Sequence, residues 1–288
     1  MGKQDRALNY IEKRRSIRIR RSKLLQDTPG IEYKIAIGTE ELEQAFELVT
    51  QQYVAVGLQR SDQQLRLTKY HLHPDTKVFI AIKKQPGEKD RVVGTVTLVY
   101  DSSMGLPMDE IYHNELKRLR ITGLQLAEVI GLSVSPSESA AYNNIVMYLY
   151  KICLQYARMT HVHDLLCTVK QKHTSFYKEL LLFEPIGKLQ PYAHGNNQLA
   201  QGYRLNIQQA DQAFKKVYSG MEFDADLHRF FFTDTPSHNR PRGEGDAMTP
   251  EQMRYFIEKR TRLLSSLSNR DKNILREAFT ARHKKFAY

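Results

Sequence analysis

The sequence predicts an α+β domain, a mixed and mostly antiparallel sheet with flanking helices, followed by a basic helical extension. Three observations predict it. Short β-branched, apolar runs alternate with segments of helical spacing in the order β, α, β, β, β, α, β, α, β. Two of the runs are joined by QPGEKD, which reads as a hairpin and therefore as antiparallel pairing. Beyond residue 210 the chain turns polar and basic, with no further strand pattern.

Each element has its own signal. IEYKIAI (31–37) alternates as a strand. TEELEQAFELVTQQYVAVG follows as a helix, with Thr39 as N-cap, acids in its first turn, Leu42, Phe46, Val49 and Tyr53 at helical spacing, and Gly57 as the stop. A further helical segment is expected around 59–72. TKVFIAIKK and DRVVGTVTLVY are the hairpin strands, and QLAEVIGLSV (125–134) is the next strand. NNIVMYLYKICLQYARM (143–159) is a helix apolar on most of its circumference, and DLLCTVK (164–170) a buried strand. HTSFYKELLLFEPIG (173–187) reads as a short helix leading towards the last strand, QGYRLNI (201–207). An insertion, 101–124, contains a helix opened by Pro107 with two acids in its first turn. TDTPSHNRPRGEGDAMTP (233–250) is a connection. Thr249-Pro250-Glu251 then starts a helix, and Ser268 with Asp271 a second, shorter one. The division expected is a basic arm (1–25), a main domain (26–210), and a linker with a helical appendage (211–288).

Composition excludes several classes. Apolar residues make up 41% of the chain, enough for a core, and no run approaches the ~20 residues of a membrane span. The basic first 25 residues lack an apolar stretch and a small-residue cleavage site, so no signal peptide is read there. Cys153 and Cys167 lie in apolar segments and read as buried thiols of a reducing cytoplasm. The net charge of +11 is concentrated at the ends. Residues 1–25 hold nine basic and two acidic residues, and 250–288 hold ten and four. The middle, with 24 basic and 26 acidic residues, does not suit a nucleic-acid groove. The cationic ends suit an acidic protein, an anionic membrane surface or nucleic acid. His71-x-His73 and His161-x-His163 lack a nearby Cys or aligned carboxylates, so no metal is expected. GLSVS (131–135) is not a nucleophile elbow, and no glycine-rich phosphate loop occurs.

The strand–helix–strand ending around FYKELLLFEPIG resembles the GNAT acyltransferase fold. Phe176, Tyr177, Phe183 and Glu184 match the later part of that superfamily's penultimate helix; Lys172 and His173 stand near its usual Asn, and Leu182 where Gly is usual. LRLTKYHLHPDTKVFIA (65–81), GLPMDEIYHNELKRLR (105–120) and LAEVIGLSV (126–134) are similar to N-acyl amino acid synthases of the FeeM type, relatives of the acyl-homoserine-lactone synthases. The similarity runs from about residue 31 to about 232. One departure is Gly131, where the family strand carries an Arg.

The resemblance implies transfer of a long acyl chain from acyl carrier protein to the amino group of an amino acid, with acyl-phosphopantetheine as donor and no tightly bound cofactor. It places Glu128 as base, through water, and Tyr177 as acid beside the departing sulfur. Leu132, Ser133, Val134, Ser135, Asn143, Lys172 and His173 would bind the donor, the strand amides stabilising the oxyanion. Leu106, Met108, Ile111 and Leu116 of the insertion would line an acyl tunnel. SPSESAAYNN lacks the glycines that cradle a CoA pyrophosphate and puts Glu138 there, which favours a carrier protein as donor. Lys170, Lys172 and Lys178 are candidates to dock it. Two alternatives are an acyl-chain or carrier-binding module without turnover, suggested by Gly131, and an acetyl-CoA-dependent acetyltransferase.

Overall fold

Seven strands form one sheet: β1 (Ile31–Ile35), β2 (Lys77–Lys83), β3 (Arg91–Tyr100), β4 (Leu126–Val134), β5 (Asp164–Lys170), β6 (Glu184–Tyr192) and β7 (Gln198–Asn206). Their spatial order is β1-β2-β3-β4-β5-β7-β6, and every neighbouring pair is antiparallel except β4 and β5. The computed structural model describes residues 15, 19, 24–59, 65–84, 86–192, 197–233 and 247–285. Most of the basic arm, part of the helical segment expected at 59–72 and most of the 233–250 connection lie outside the described residues.

The sheet's period of two sends its apolar residues to both faces. Phe79 and Ala81 join the core under α3 (Tyr142–Met159), while Val78, Ile80 and Ile82 join the one under α1 (Thr39–Ala55). α3 is the crossover that the parallel β4–β5 pair requires, and it is apolar nearly all round because sheet and C-terminal segments enclose it. α1 starts one residue earlier than its sequence suggests. Gly38 holds the cap position, and Glu41 accepts from the Ile37 and Gly38 N–H groups at 3.1 and 3.3 Å. Gly57 follows its end with a φ of 70°, as a helix stop does.

β6 has no counterpart among the expected strands. Pro185 and Pro191 break its pattern, and both are tolerated because β6 is an exposed edge. The boundary expected at residue 210 falls inside α4 (Ile207–Tyr218), whose Ala210, Phe214 and Tyr218 belong to the core with Leu227 and Phe230.

The C-terminal segment lies off the sheet but is not a loose appendage. α5 (Pro250–Tyr255) is capped by Thr249, and Phe256 beyond it is fully buried edge-on to Phe46 of α1. Arg260 pairs with Glu43 and Glu47, and Lys69 with Asp271 at 2.9 Å. After the short α6 (Leu263–Ser266), the helix begun by Ser268 and Asp271, α7 (Asn269–Lys285), is the longer rather than the shorter one. No described helix is long and apolar enough to cross a membrane.

Two backbone features shape the centre of the molecule. The β3–β4 register jumps between Thr97↔Ile130 and Thr95↔Ser133, so Gly131 and Leu132 form a bulge, and Gly131 sits at a φ of 67°. The missing Arg is thus the requirement of a left-handed bulge residue, for which glycine is suited.

The segment after β5 is not a regular α-helix. A 3-10 turn (Gln171–His173) leads into a π-turn (Phe176–Leu180), closed by the Leu181 N–H donating to the Phe176 carbonyl. Leu182, where glycine is usual, holds a φ of 56°. A left-handed non-glycine residue costs roughly 1–2 kcal/mol, and the partly buried leucine offsets this by packing on the core. Leu182→Gly is therefore expected to be more stable than Leu182→Ala, which keeps the strain and loses the contacts, by about 1 kcal/mol in urea unfolding. An alanine variant as stable as the glycine one would refute the strain at this position.

Candidate active site

β4 and β5 pair only from Leu126↔Asp164 to Val129↔Cys167 and then part. Beyond that point both strands run on, and the wedge between them opens into a cavity of about 520 Å³, within the ~300–1,000 Å³ usual for small-molecule sites. Its walls are Glu128–Val134 of β4, Cys167–Lys170 of β5, the start of α3, the π-turn and one face of α1. The bulge matters here. Gly131 and Leu132 have no β3 partner and lie past the last β4–β5 pair.

Glu128 stands at the base of the wedge and is fully buried. Its Oε2 accepts from the Met108 N–H at 2.8 Å, and the Thr168 hydroxyl donates to Oε1 at 3.4 Å. Burial pushes its pKa up to about 8, against those two hydrogen bonds, with Asp109 adding to the rise. The carboxyl is held in place and titrates near neutrality, as a general base requires.

Tyr177 faces the same cavity. The wide π-turn turns its ring inward, edge-on to Phe183 and stacked on Tyr203. Its hydroxyl lies 2.6 Å from that of Tyr150 on α3. Burial raises the pKa of both well above the usual phenol value. Tyr150 was read only as part of an apolar helix, and its Tyr177 contact spans 27 residues, which no local pattern reports. Cys167, also on the wall, has its thiol pushed up by burial and by Glu128, so it is no nucleophile.

Tyr53, Arg66, Tyr70, His71 and Tyr192 also line the cavity, and no sequence motif marks them as a group. The Arg66 guanidinium lies 4.1 Å over the Tyr53 ring. His71 accepts at Nδ1 from the Thr68 N–H at 3.1 Å, and burial, with Arg66 nearby, lowers its pKa to about 4. It is a neutral imidazole carrying its proton on Nε2. Tyr70, whose hydroxyl donates to the Leu106 carbonyl at 3.4 Å, is pushed up to about 12 by burial and then by the charge of Glu128.

The expected donor-binding residues divide. Leu132, Ser133, Val134, Asn143, Lys172 and His173 all line the cavity, and the buried Ser133 hydroxyl has no hydrogen-bond partner. Ser135 does not line it; its N–H donates to the Val93 carbonyl and its hydroxyl lies 2.9 Å from that of Ser137. Glu138 offers no bare charge to repel an anion, because Lys83 and Arg91 pair with it at 2.8 and 3.4 Å.

The acyl-tunnel assignment is corrected. Leu106, Met108 and Leu116 are fully buried with Val99, Tyr112, Leu126 and Leu166, and Ile111 packs at the edge of that cluster. None lines the cavity; Pro107 is the insertion's contribution. The cause is that α2 (Asp109–Ile121) has its own stretch of sheet to cover. Tyr112 donates to the Lys188 carbonyl at 2.7 Å and accepts from the Gly202 N–H at 3.0 Å, and Arg120 ties the insertion together through Asp101 and Asp109. The backbone of Met108, not its side chain, reaches the site.

Comparison with known proteins agrees with this architecture. The sequence profile described as N-acyl amino acid synthase FeeM matches residues 44–206. The solved structure of FeeM, an N-acyl amino acid synthase from uncultured soil microbes, is 29% identical, covering 64% of this chain and 95% of that one with a TM-score of 0.54. A GNAT-family acetyltransferase from Staphylococcus aureus Mu50 is 11% identical, covering 62% and 99%, with a TM-score of 0.41. Among curated proteins none matches. With more than half of its length matched by the family profile, the chain is an acyltransferase of the FeeM family of N-acyl amino acid synthases.

Proposed function

We propose that this enzyme moves a long-chain acyl group from the phosphopantetheine thioester of an acyl carrier protein to the α-amino group of an amino acid. The observation that carries the reading is a buried carboxyl titrating near 8 and a tyrosine pair on the walls of one cavity.

An α-ammonium group has a pKa of ~8, close to that of Glu128. Proton transfer between the two, directly or through water, is then nearly balanced, and the neutral amine becomes the nucleophile. The amine adds to the thioester carbonyl, whose oxygen takes up negative charge. Amides at the Gly131–Leu132 bulge, released from both neighbouring strands, supply the donors for it. The tetrahedral species collapses with loss of the C–S bond, and Tyr177 gives its proton to the departing sulfur. The nitrogen loses two protons, one from the ammonium group before attack and one from the adduct. Glu128 takes up each in turn and passes it to solvent, while Tyr177 is reprotonated from solvent, so one proton is released overall. The products are an amide and a free thiol, with atoms and charge balanced. Val49, Val129 and Val146 on the cavity wall take over the acyl-chain role first given to the insertion.

Two features support a carrier protein as donor. The turn before α3, Pro136–Ala141, holds no glycine, and the Ser137 hydroxyl lies 2.9 Å from that of Ser135 just before the turn. The chain is cationic at its ends, which suits an acidic carrier and contact with an anionic membrane surface. Acyl carrier protein should donate at least ~10-fold more efficiently than the matching acyl-CoA, about 1.4 kcal/mol. That advantage should shrink between low and physiological salt. The test incubates the protein with each donor and a mixture of proteinogenic amino acids and identifies N-acyl products by mass spectrometry. Equal use of both donors at low salt removes the carrier preference, and no N-acyl amino acid from either removes the reading.

A further inference from the structure

β5 climbs about 10 Å between Cys167, its last pairing with β4, and Lys170. At that height the cavity wall carries Lys170, Lys172 and His173, with Asn143 of α3 also on the wall. Among the described residues neither the two lysines nor the His173 ring has a carboxylate partner, and Lys170 donates only to the Val56 carbonyl, at 3.4 Å. Other cations on the sheet are paired: Lys83 and Arg91 with Glu138, and Arg204 with Asp164. Here two lysines and an imidazole share one stretch of cavity wall instead. Burial first, and then their mutual repulsion, holds Lys170 and His173 below their ordinary pKa values. An anion at this place would relieve the repulsion and meet ammonium and imidazole donors on the cavity wall.

We propose that Lys170, Lys172 and His173 form an anion site for the phosphate ester of the donor's pantetheine arm, replacing the turn before α3 in that role. The inference rests on the thioester-donor reading above and adds the group that anchors its far end. The arm then runs from the phosphate at the mouth, past Asn143 and the unpartnered Ser133 hydroxyl, to the sulfur beside Tyr177.

Calorimetry tests this without turnover, by titrating 4′-phosphopantetheine and phosphate-free pantetheine into the full-length protein. The phosphate is expected to tighten binding about tenfold. In the double variant Lys172→Gln with His173→Asn, the ratio should fall to within about twofold. Lys188→Gln, an exposed lysine of β6 off the cavity wall, should keep the full ratio. The same comparison by kcat/KM, with acyl-pantetheine, acyl-4′-phosphopantetheine and acyl-CoA, should show the preference in KM. Loss of the preference in the double variant for the single ester alone would assign the site to the carrier-borne phosphodiester, and loss for both esters would assign it to phosphate esters generally. An undiminished ratio in the double variant, or no phosphate preference in the wild type, overturns the proposal. Phosphate-dependent binding without any acyl transfer would instead overturn the catalytic reading and leave the anion site standing.

Discussion

Glu128→Gln is expected to lower turnover by ~10²-fold or more while leaving the fold intact, because the amide keeps an acceptor for the Met108 N–H but takes up no proton. The pH profile separates this role from a structural one. Only the ionised carboxylate accepts a proton, so wild-type kcat/KM should rise with pH and level off above about 8, and the variant should lack that limb. Stability should move in the opposite direction. The folded pKa of Glu128, about 8, lies above its ordinary value of 4.5. The folded state therefore binds the extra proton between these values. The stability this contributes is fully present below pH 4.5 and is lost as pH rises through 8. The variant should accordingly melt close to wild type at pH 4 and above it at pH 9. Wild-type turnover in the variant, with unchanged melting, would take Glu128 out of the mechanism.

Tyr177→Phe should cost ~10²-fold in kcat with an alkyl thioester, the lower end of general acid catalysis. Its partner gives this prediction a sharper form. The Tyr150 hydroxyl, 2.6 Å away, can donate to the Tyr177 oxygen and so aim the Tyr177 proton at the sulfur. Tyr150→Phe should then cost about tenfold, and the double variant no more than Tyr177→Phe alone, since the two hydroxyls act as a unit. All three losses should diminish with an aryl thioester, whose thiolate leaves without protonation. Steady-state kinetics with donors of graded thiol pKa would check this. Losses independent of the leaving group would assign the pair to packing instead of proton transfer.

The sequence by itself determined the central sheet, because β2, β3, β4 and β5 are apolar runs whose composition and flanking turns admit little else. The family resemblance carried by its motifs also singled out Glu128 and Tyr177. The family fold was legible from those same residues. Tertiary structure decided the rest. β6 escaped notice because its prolines are allowed only at an edge, and edge position is a property of the whole sheet. Gly131 reads as a lost arginine until the β3–β4 register shows the bulge that demands its left-handed φ. The apolar residues of the insertion show that they are buried but not against what, and they cover the sheet beside the cavity instead of lining it. The Tyr150–Tyr177 contact and the Met108 amide on Glu128 join residues distant in sequence. The physical reason is common to all of them. Periodicity records which side of its own element a residue faces, whereas the chemistry of this site depends on what the parting of β4 and β5 brings to face it.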